Sequence, residues 1–244
     1  MIGYKSDVGI KRKFNEDSFG YFENEFYKIY VVADGMGGHN AGEVASNMAV
    51  RDVIKFVKEN IYKFQEDILE KAIKEVNSSI YEYSMSDEKL KGMGTTITSC
   101  LCYNGMVIVA NVGDSSCFGI KNDNMHKLTK DHSLVQQLLD AGSISEDEAM
   151  NHPNKNIITR AVGTSKDVEV DIFRFKAKEY DRYLLCSDGL TNEVTIDEMN
   201  NILKREKNNE LACEYLVEEA NKNGGRDNIT VMLFGGERRW SGKY

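Results

Sequence analysis

The chain has 244 residues and a net charge of −8, with 41% hydrophobic and 29% charged residues, a balance that suits a globular protein with a large core. The acidic excess argues against nucleic acid or an anionic membrane surface as a partner. No stretch approaches the ~18 consecutive apolar residues of a membrane span, and the opening MIGYKSDVGIKRK lacks the apolar core of a secretion signal.

In chain order, the first informative segment is RKFNED at 12–17, entered through the basic KRK at 11–13. By itself such a stretch reads as a solvated turn. Beside a cluster of acids it reads differently: the planar guanidinium of Arg12 fits phosphate oxygens, and Asp17 can orient a metal-bound water. Strand-like runs follow at 18–23 and 27–33, and the second runs into DGMGGH. Asp-Gly alone is a common turn dipeptide. Here further glycines allow close backbone approach and expose the Gly35 carbonyl. The helix that follows, 41–60, aims an anion-favouring N-terminus at the same region. Its apolar residues Val44, Met48, Ala49, Val53, Phe56 and Val57 recur at helical spacing. Residues 66–91 repeat the pattern through Ile68, Leu69, Ala72, Ile73, Val76 and Ile80, so the two helices are expected to pack antiparallel.

Residues 92–120 hold three β-rich runs separated by Asn-Gly and Gly-Asp turn signals, and Asp114 follows MVIVANVG. A short helix at 133–141 stops at Gly142, with His132 read as its cap. Ser145 and Glu148 form a capping box that opens 146–151, and 152–166 is irregular. Strands at 167–176 and 182–187 come next, and the latter places Asp188 in a second strand–Asp–Gly arrangement. Helices at 195–207 and 210–223 precede Asp227 and a last strand at 229–235. Strands joined by tight turns and interrupted by two helix pairs predict an α+β fold, with antiparallel sheets covered by helices on their outer faces. One proline and no Ser/Gly-rich linker predict a single continuous domain over 1–244.

Asp34, Asp188, Asp227 and Asp114 each sit at a strand end, where a rigid sheet can gather carboxylates around a hard divalent cation. Such a centre makes hydroxide at neutral pH, which hydrolyses phosphate esters. Asp34 is the bridging candidate, because its flanking glycines leave room on both sides. His39 either donates a proton to the leaving alkoxide or holds the glycine-rich loop; both readings stand. The cysteines, Cys100, Cys102, Cys117, Cys186 and Cys213, are odd in number and lie in apolar segments. They read as buried thiols of a reducing cytoplasm, and their spacing fits no zinc site. No Walker phosphate loop, nucleophile elbow, kinase motif set or Cys-x5-Arg loop is present.

Seven strings, RKFNED (12–17), VVADGMGGHNAGEVAS (31–46), GMGTT (92–96), ANVGDS (110–115), LTKDHSLV (128–135), LLCSDGLT (184–191) and GGRDNIT (224–230), occur in an order that resembles the metal-dependent PPM, or type 2C, protein serine/threonine phosphatases, especially compact bacterial members. The resemblance implies a four-layer α/β/β/α sandwich, two antiparallel sheets flanked by helix pairs. It implies a two-ion Mn²⁺ or Mg²⁺ centre whose bridging hydroxide attacks the phosphorus of phosphoserine or phosphothreonine. By motif match Asp34 bridges both ions, Gly35 gives its carbonyl to one, and Asp188 and Asp227 hold the other. Asp17 holds metal-bound waters, Arg12 positions the phosphoryl group, and Asp114 with Asp188 takes a third, weaker ion. Residues 142–163 match a flap beside the site. The chain departs from the pattern at Met36, where many eukaryotic members have His, and at Ser116, where relatives usually have Arg. Expected partners are phosphoprotein substrates, including a Hanks-type Ser/Thr kinase that the enzyme opposes. A cytoplasmic monomer is expected, with no nucleic-acid or membrane partner. The rival reading, a phosphopeptide-binding pseudophosphatase, requires loss of a metal carboxylate, and none is missing.

Overall fold

The computed structural model describes residues 1–37, 41–64, 67–150 and 152–235. Two antiparallel sheets stand face to face. One runs β1 (Gly3–Asp7), β11 (Ile229–Gly235), β10 (Arg182–Cys186), β7 (Ser116–Lys121) and β8 (Asn124–Lys127). The other runs β2 (Asp17–Glu23), β3 (Tyr27–Met36), β5 (Ile97–Tyr103), β6 (Met106–Val112) and β9 (Asp171–Lys176), with the short β4 (Gly94–Thr95) paired to the end of β3.

Period-two alternation sorts each strand's side chains between two cores. Along β3, Tyr30 and Val32 enter the space between the sheets and join Cys100, Val109, Tyr183, Leu185 and Phe234. The Tyr30 and Phe234 rings stack with centroids 3.7 Å apart across that space. Ile29, Val31 and Ala33 face the other way, against helices α1 (Ala41–Phe64) and α2 (Ile68–Ser84). On the far side, Leu184, Val231 and Leu233 pack under α6 (Ile196–Arg205) and α7 (Asn209–Lys222) with Met199, Leu203 and Leu216. The result is the expected α+β sandwich of four layers, helix pair, sheet, sheet, helix pair. All five cysteines are free and buried.

Several boundaries differ from the sequence expectation. The strand β1 was not expected. Its residues GYKSD are largely solvated and lack an apolar alternation, and it forms because β11 offers it a full antiparallel partner. The edge strand β8 is likewise polar and, among the described residues, pairs only with β7. Helix α2 ends at Ser84, not 91, because the Asp87 side chain accepts the Lys89 N–H at 2.9 Å and starts a separate 3₁₀ turn. The capping box of Ser145 and Glu148 opens α4 (Glu146–Met150) as expected. Helix α3 (Leu134–Asp140) ends as expected: Gly142 has φ +66°, and Gly142 and Ser143 donate to the Leu139 and Leu138 carbonyls. Its N-cap, however, is Ser133, whose side chain accepts the Gln136 N–H; His132 does not cap it.

Candidate active site

Pairing of β2 with β3 sets Asp17 directly opposite Asp34. Side chains opposite each other on neighbouring strands stand about 4.5–5.5 Å apart at Cβ. Asp34 lies within β3, not beyond its end, because the strand is prolonged by β4. The Asp34 carbonyl accepts from Thr96 N–H at 2.8 Å and from Thr95 Oγ1 at 2.9 Å, and Asp34 N–H donates to Thr96 Oγ1 at 2.9 Å. Asp188 opens the one-turn helix α5 (Asp188–Thr191) after β10, Asp114 occupies the turn after β6, and Asp227 precedes β11. Four sequence-distant acids, Asp17, Asp188, Asp114 and Asp227, all raise the charge-state cost at Asp34. The fold therefore gathers five carboxylates at one end of the sandwich.

Their protonation preferences follow from enclosure and mutual repulsion. Burial, then the charges of Asp17 and Asp188, drives Asp34 well above the carboxylate range. Burial outweighs a hydrogen bond from Ser187 and, with Asp188 and Asp227 nearby, pushes Asp17 up to about 7. Burial and Asp188 take Asp114 to about 8; burial and Asp227 take Asp188 to about 6. Among the described residues no group of three or more His, Cys, Asp or Glu side chains stands, in this arrangement, where it could hold a metal ion. Asp17 Oδ1, Asp114 Oδ1 and Asp188 Oδ1 are nevertheless buried without a hydrogen-bond donor. Buried anionic oxygens are paired or coordinate metal. An all-oxygen donor set with surplus negative charge and orphaned lone pairs fits hard divalent cations such as Mg²⁺ and Mn²⁺.

Glycine makes the floor of the site. A Cβ on Gly35 would lie 2.1 Å from the Gly42 carbonyl oxygen and 2.6 Å from that of Glu16. The end of β3 thus touches the first turn of α1 backbone to backbone, and Ser46 Oγ donates to the same Glu16 carbonyl at 2.6 Å. Arg12 lies on the loop between β1 and β2, half-exposed, with Nη2 2.8 Å from Asp227 Oδ2. Burial would lower its pKa, but the hydrogen bond and charge of Asp227 prevail and raise it.

Motif reading of the site passed over the groups that hold it in place. Asn228 is the clamp of the Arg12 loop. Its Nδ2 donates to the Val8 and Phe14 carbonyls, each at 2.9 Å, and its Oδ1 accepts the Glu16 N–H at 2.8 Å. Ser187 Oγ donates to Asp17 Oδ2 at 2.7 Å, and Asn192 Nδ2 donates to Asp188 Oδ2 at 2.9 Å. Glu193 grips the backbone and guanidinium of Arg226, next to Asp227. The available signal was polar residues abutting the strand-end acids, as in SDG and RDN. His39 lies outside the described residues. A groove of about 730 Å³ between α1 and α2 is lined by residues such as Lys55, Glu59, Lys74 and Val76 and by none of these acids.

The "Protein phosphatase 2C" family profile matches residues 10–229. The chain is 47% identical over 235 residues to the serine/threonine phosphatase stp of Listeria innocua serovar 6a, covering 94% of this chain and 93% of that protein. The crystal structure of serine/threonine phosphatase Stp1 from Staphylococcus aureus superposes with a TM-score of 0.90 at 38% identity, over 97% of this chain and 94% of that one. The catalytic domain of serine threonine protein phosphatase PstP, solved with two manganese ions, superposes with a TM-score of 0.84 at 32% identity over 96% of each chain. With its motifs in family order and this fold beneath them, the chain belongs to the protein phosphatase 2C family.

Proposed function

We propose that the chain hydrolyses phosphoserine and phosphothreonine on proteins at a centre of two divalent ions, Mn²⁺ or Mg²⁺. Asp34, Gly35, Asp188 and Asp227 hold the pair, Asp17 holds its waters, and Asp114 with Asp188 takes a third, weaker ion. The observation that carries this reading is the gathering of five carboxylates with three buried, donorless oxygens. Manganese in the PstP catalytic domain supports it. When bound, the ions supply hydroxide at neutral pH and offset charge on the phosphate oxygens.

The chain's own residues do the positioning. Arg12, tethered by the Asn228 clamp and paired with Asp227, turns its fork towards the phosphoryl oxygens and stabilises the charge that develops there. The hydrogen bonds from Thr95 and Thr96 keep Asp34 from shifting as charge moves. Ser187 and Asn192 each fix one oxygen of Asp17 and Asp188, leaving the other to the site. Proton supply to the leaving alkoxide falls to His39 or to solvent. No cysteine lies in a Cys-x5-Arg loop to form a thiol-phosphate, and direct attack by water without a phosphoenzyme is the route in this reading.

The substrates are phosphoproteins, among them a Hanks-type Ser/Thr kinase whose action the enzyme reverses. Five buried free thiols suit a cytoplasmic setting; among the described residues no helix is long and apolar enough to cross a membrane. We assign the monomer as the working unit, which light scattering checks. The functional test is hydrolysis of phosphoserine, phosphothreonine and phosphotyrosine peptides with Mn²⁺, Mg²⁺ or chelator. Metal-dependent turnover of the first two is expected, with losses on the order of 10²–10³-fold or more in Asp34→Asn and Asp188→Asn. Turnover that survives chelator, or either substitution in a folded protein, overturns the reading.

A further inference from the structure

His132 is buried and has no part in the chemistry above. It stands at a junction. Its Nδ1 accepts the Gly113 N–H at 3.0 Å, and its own N–H donates to the Gly113 carbonyl at 2.9 Å. Both main-chain groups of Gly113, the residue before Asp114, are therefore held by one residue. An imidazole that accepts at Nδ1 carries its proton on Nε2. That atom lies 3.2 Å from Asp171 Oδ2 on β9, while Arg160 Nη1 lies 3.0 Å from Nε2 and 2.7 Å from Asp171 Oδ1. The His132 carbonyl in turn accepts the Thr159 N–H at 2.7 Å. With its proton on Nε2 the ring donates to Asp171, which Arg160 holds through the other carboxylate oxygen, and it orients Gly113 on its opposite side.

Gly113 needs such support. Its φ is +108°, and a Cβ there would lie 2.6 Å from the Thr96 side chain. The turn is pressed against Thr96 on one flank, where Thr96 Oγ1 and Ser115 Oγ share a 2.7 Å hydrogen bond. His132 closes the other flank. Asp114 Oδ1, one residue on, is buried without a donor, so its direction depends on its backbone.

We propose that His132 is a positioning residue for Asp114: it acts through Gly113, and the Arg160–Asp171 pair fixes its tautomer and tilt. The functional consequence rests on the reading of Asp114 as the ligand of the weaker ion. Two substitutions separate the ring's two ends. Asn places Oδ1 where Nδ1 stands and keeps an acceptor for Gly113. Gln reaches the Nε2 position with its amide and leaves Gly113 N–H without a partner.

The test uses the full-length protein, with folding verified by circular dichroism, and two measurements. The first is hydrogen exchange of the Gly113 amide in metal-free protein. His132→Gln is expected to exchange at least tenfold faster than the native protein, and His132→Asn within about threefold of it. Arg160→Gln, which leaves the ring and its Gly113 side intact but removes the holds on Asp171 and Glu169, should accelerate the same amide severalfold and serves if His132→Gln does not fold. The second is calorimetric titration with Mn²⁺ against Asp114→Asn as reference. The weakest binding event, absent in Asp114→Asn, should weaken about tenfold in His132→Gln and recover in His132→Asn. Native-like exchange of Gly113 in the Gln and Arg160 variants, or equal losses in the Gln and Asn variants, overturns the proposal. If Asp114→Asn loses no binding event, the ligand reading of Asp114 fails by itself, and the exchange data still decide whether His132 positions the turn.

Discussion

Asp17 and Asp34 are direct cross-strand partners in the β2–β3 pair. Like charges opposite each other on a sheet destabilise it, and enclosure increases that cost. A fold that sets two acids there, with Asp188, Asp114 and Asp227 nearby, loses stability that bound cations restore.

That relation fixes the sign of the pH dependence. Asp188, Asp17 and Asp114 have folded pKa values of about 6, 7 and 8, above the roughly 3.9 of an unfolded Asp. The unfolded state therefore releases these protons first, and folding is favoured at the acid end of the window. The metal-free protein should lose stability as pH rises from about 4 to about 8. Mn²⁺ should flatten that slope and raise the midpoint most at pH 8. Thermal melts with chelator and with Mn²⁺ across this range check both effects. A metal-free protein that gains stability up to pH 8 contradicts the account.

Arg12 is half-exposed and paired with Asp227 at 2.8 Å, so its substitution should cost little stability. Arg12→Ala should raise KM for phosphopeptides about tenfold or more, since charge-assisted bonds to phosphate contribute about 1.5–3 kcal/mol. Arg12→Lys should recover only part, because a point charge lacks the bidentate fork. Steady-state kinetics with thermal melts in parallel separate the two effects.

Thr96 Oγ1 receives the Asp34 N–H and bonds Ser115 Oγ in a fully buried setting. Thr96→Val keeps the shape and removes the oxygen. It should cost about 1–3 kcal/mol in urea unfolding and lower turnover, while Thr96→Ser should retain most of both. A neutral Val variant would show that the hydroxyl is dispensable.

Gly35 is a packing requirement. A methyl there would meet the Gly42 carbonyl oxygen at 2.1 Å, backbone against backbone. Gly35→Ala should destabilise by about 1–3 kcal/mol or more and displace the strand end that carries Asp34. Loss of Mn²⁺ binding in calorimetry, together with a lower unfolding midpoint, is the expected result. The exposed Gly105 is the contrasting case: a methyl there would meet nothing within 4 Å, so Gly105→Ala, although it costs some stability through the residue's φ of +71°, should leave Mn²⁺ binding intact.

What could be read from the chain was whatever local chemistry dictates. Helical spacing placed α1 and α2, the Ser145–Glu148 box placed α4, and strand–Asp–Gly strings marked Asp34 and Asp188. Elements whose reason for existing lies elsewhere in the chain were not legible. The polar β1 is a strand because β11 pairs with it, and β3 runs through Asp34 because β4 prolongs it. His132 looked like a helix cap from its place before α3, but a neighbouring serine takes that role and the ring turns to Gly113, Arg160 and Asp171.

Sequence alone determined the alphabet of the site: acids at strand ends, glycines where backbones must touch, and an arginine on a polar loop. Only the tertiary structure decided which acids face one another, how their charges shift their protonation, and which amides and hydroxyls hold them. Register, burial and Coulomb repulsion depend on through-space distance, and residues such as Asp17 and Asp188 become neighbours only when the two sheets close.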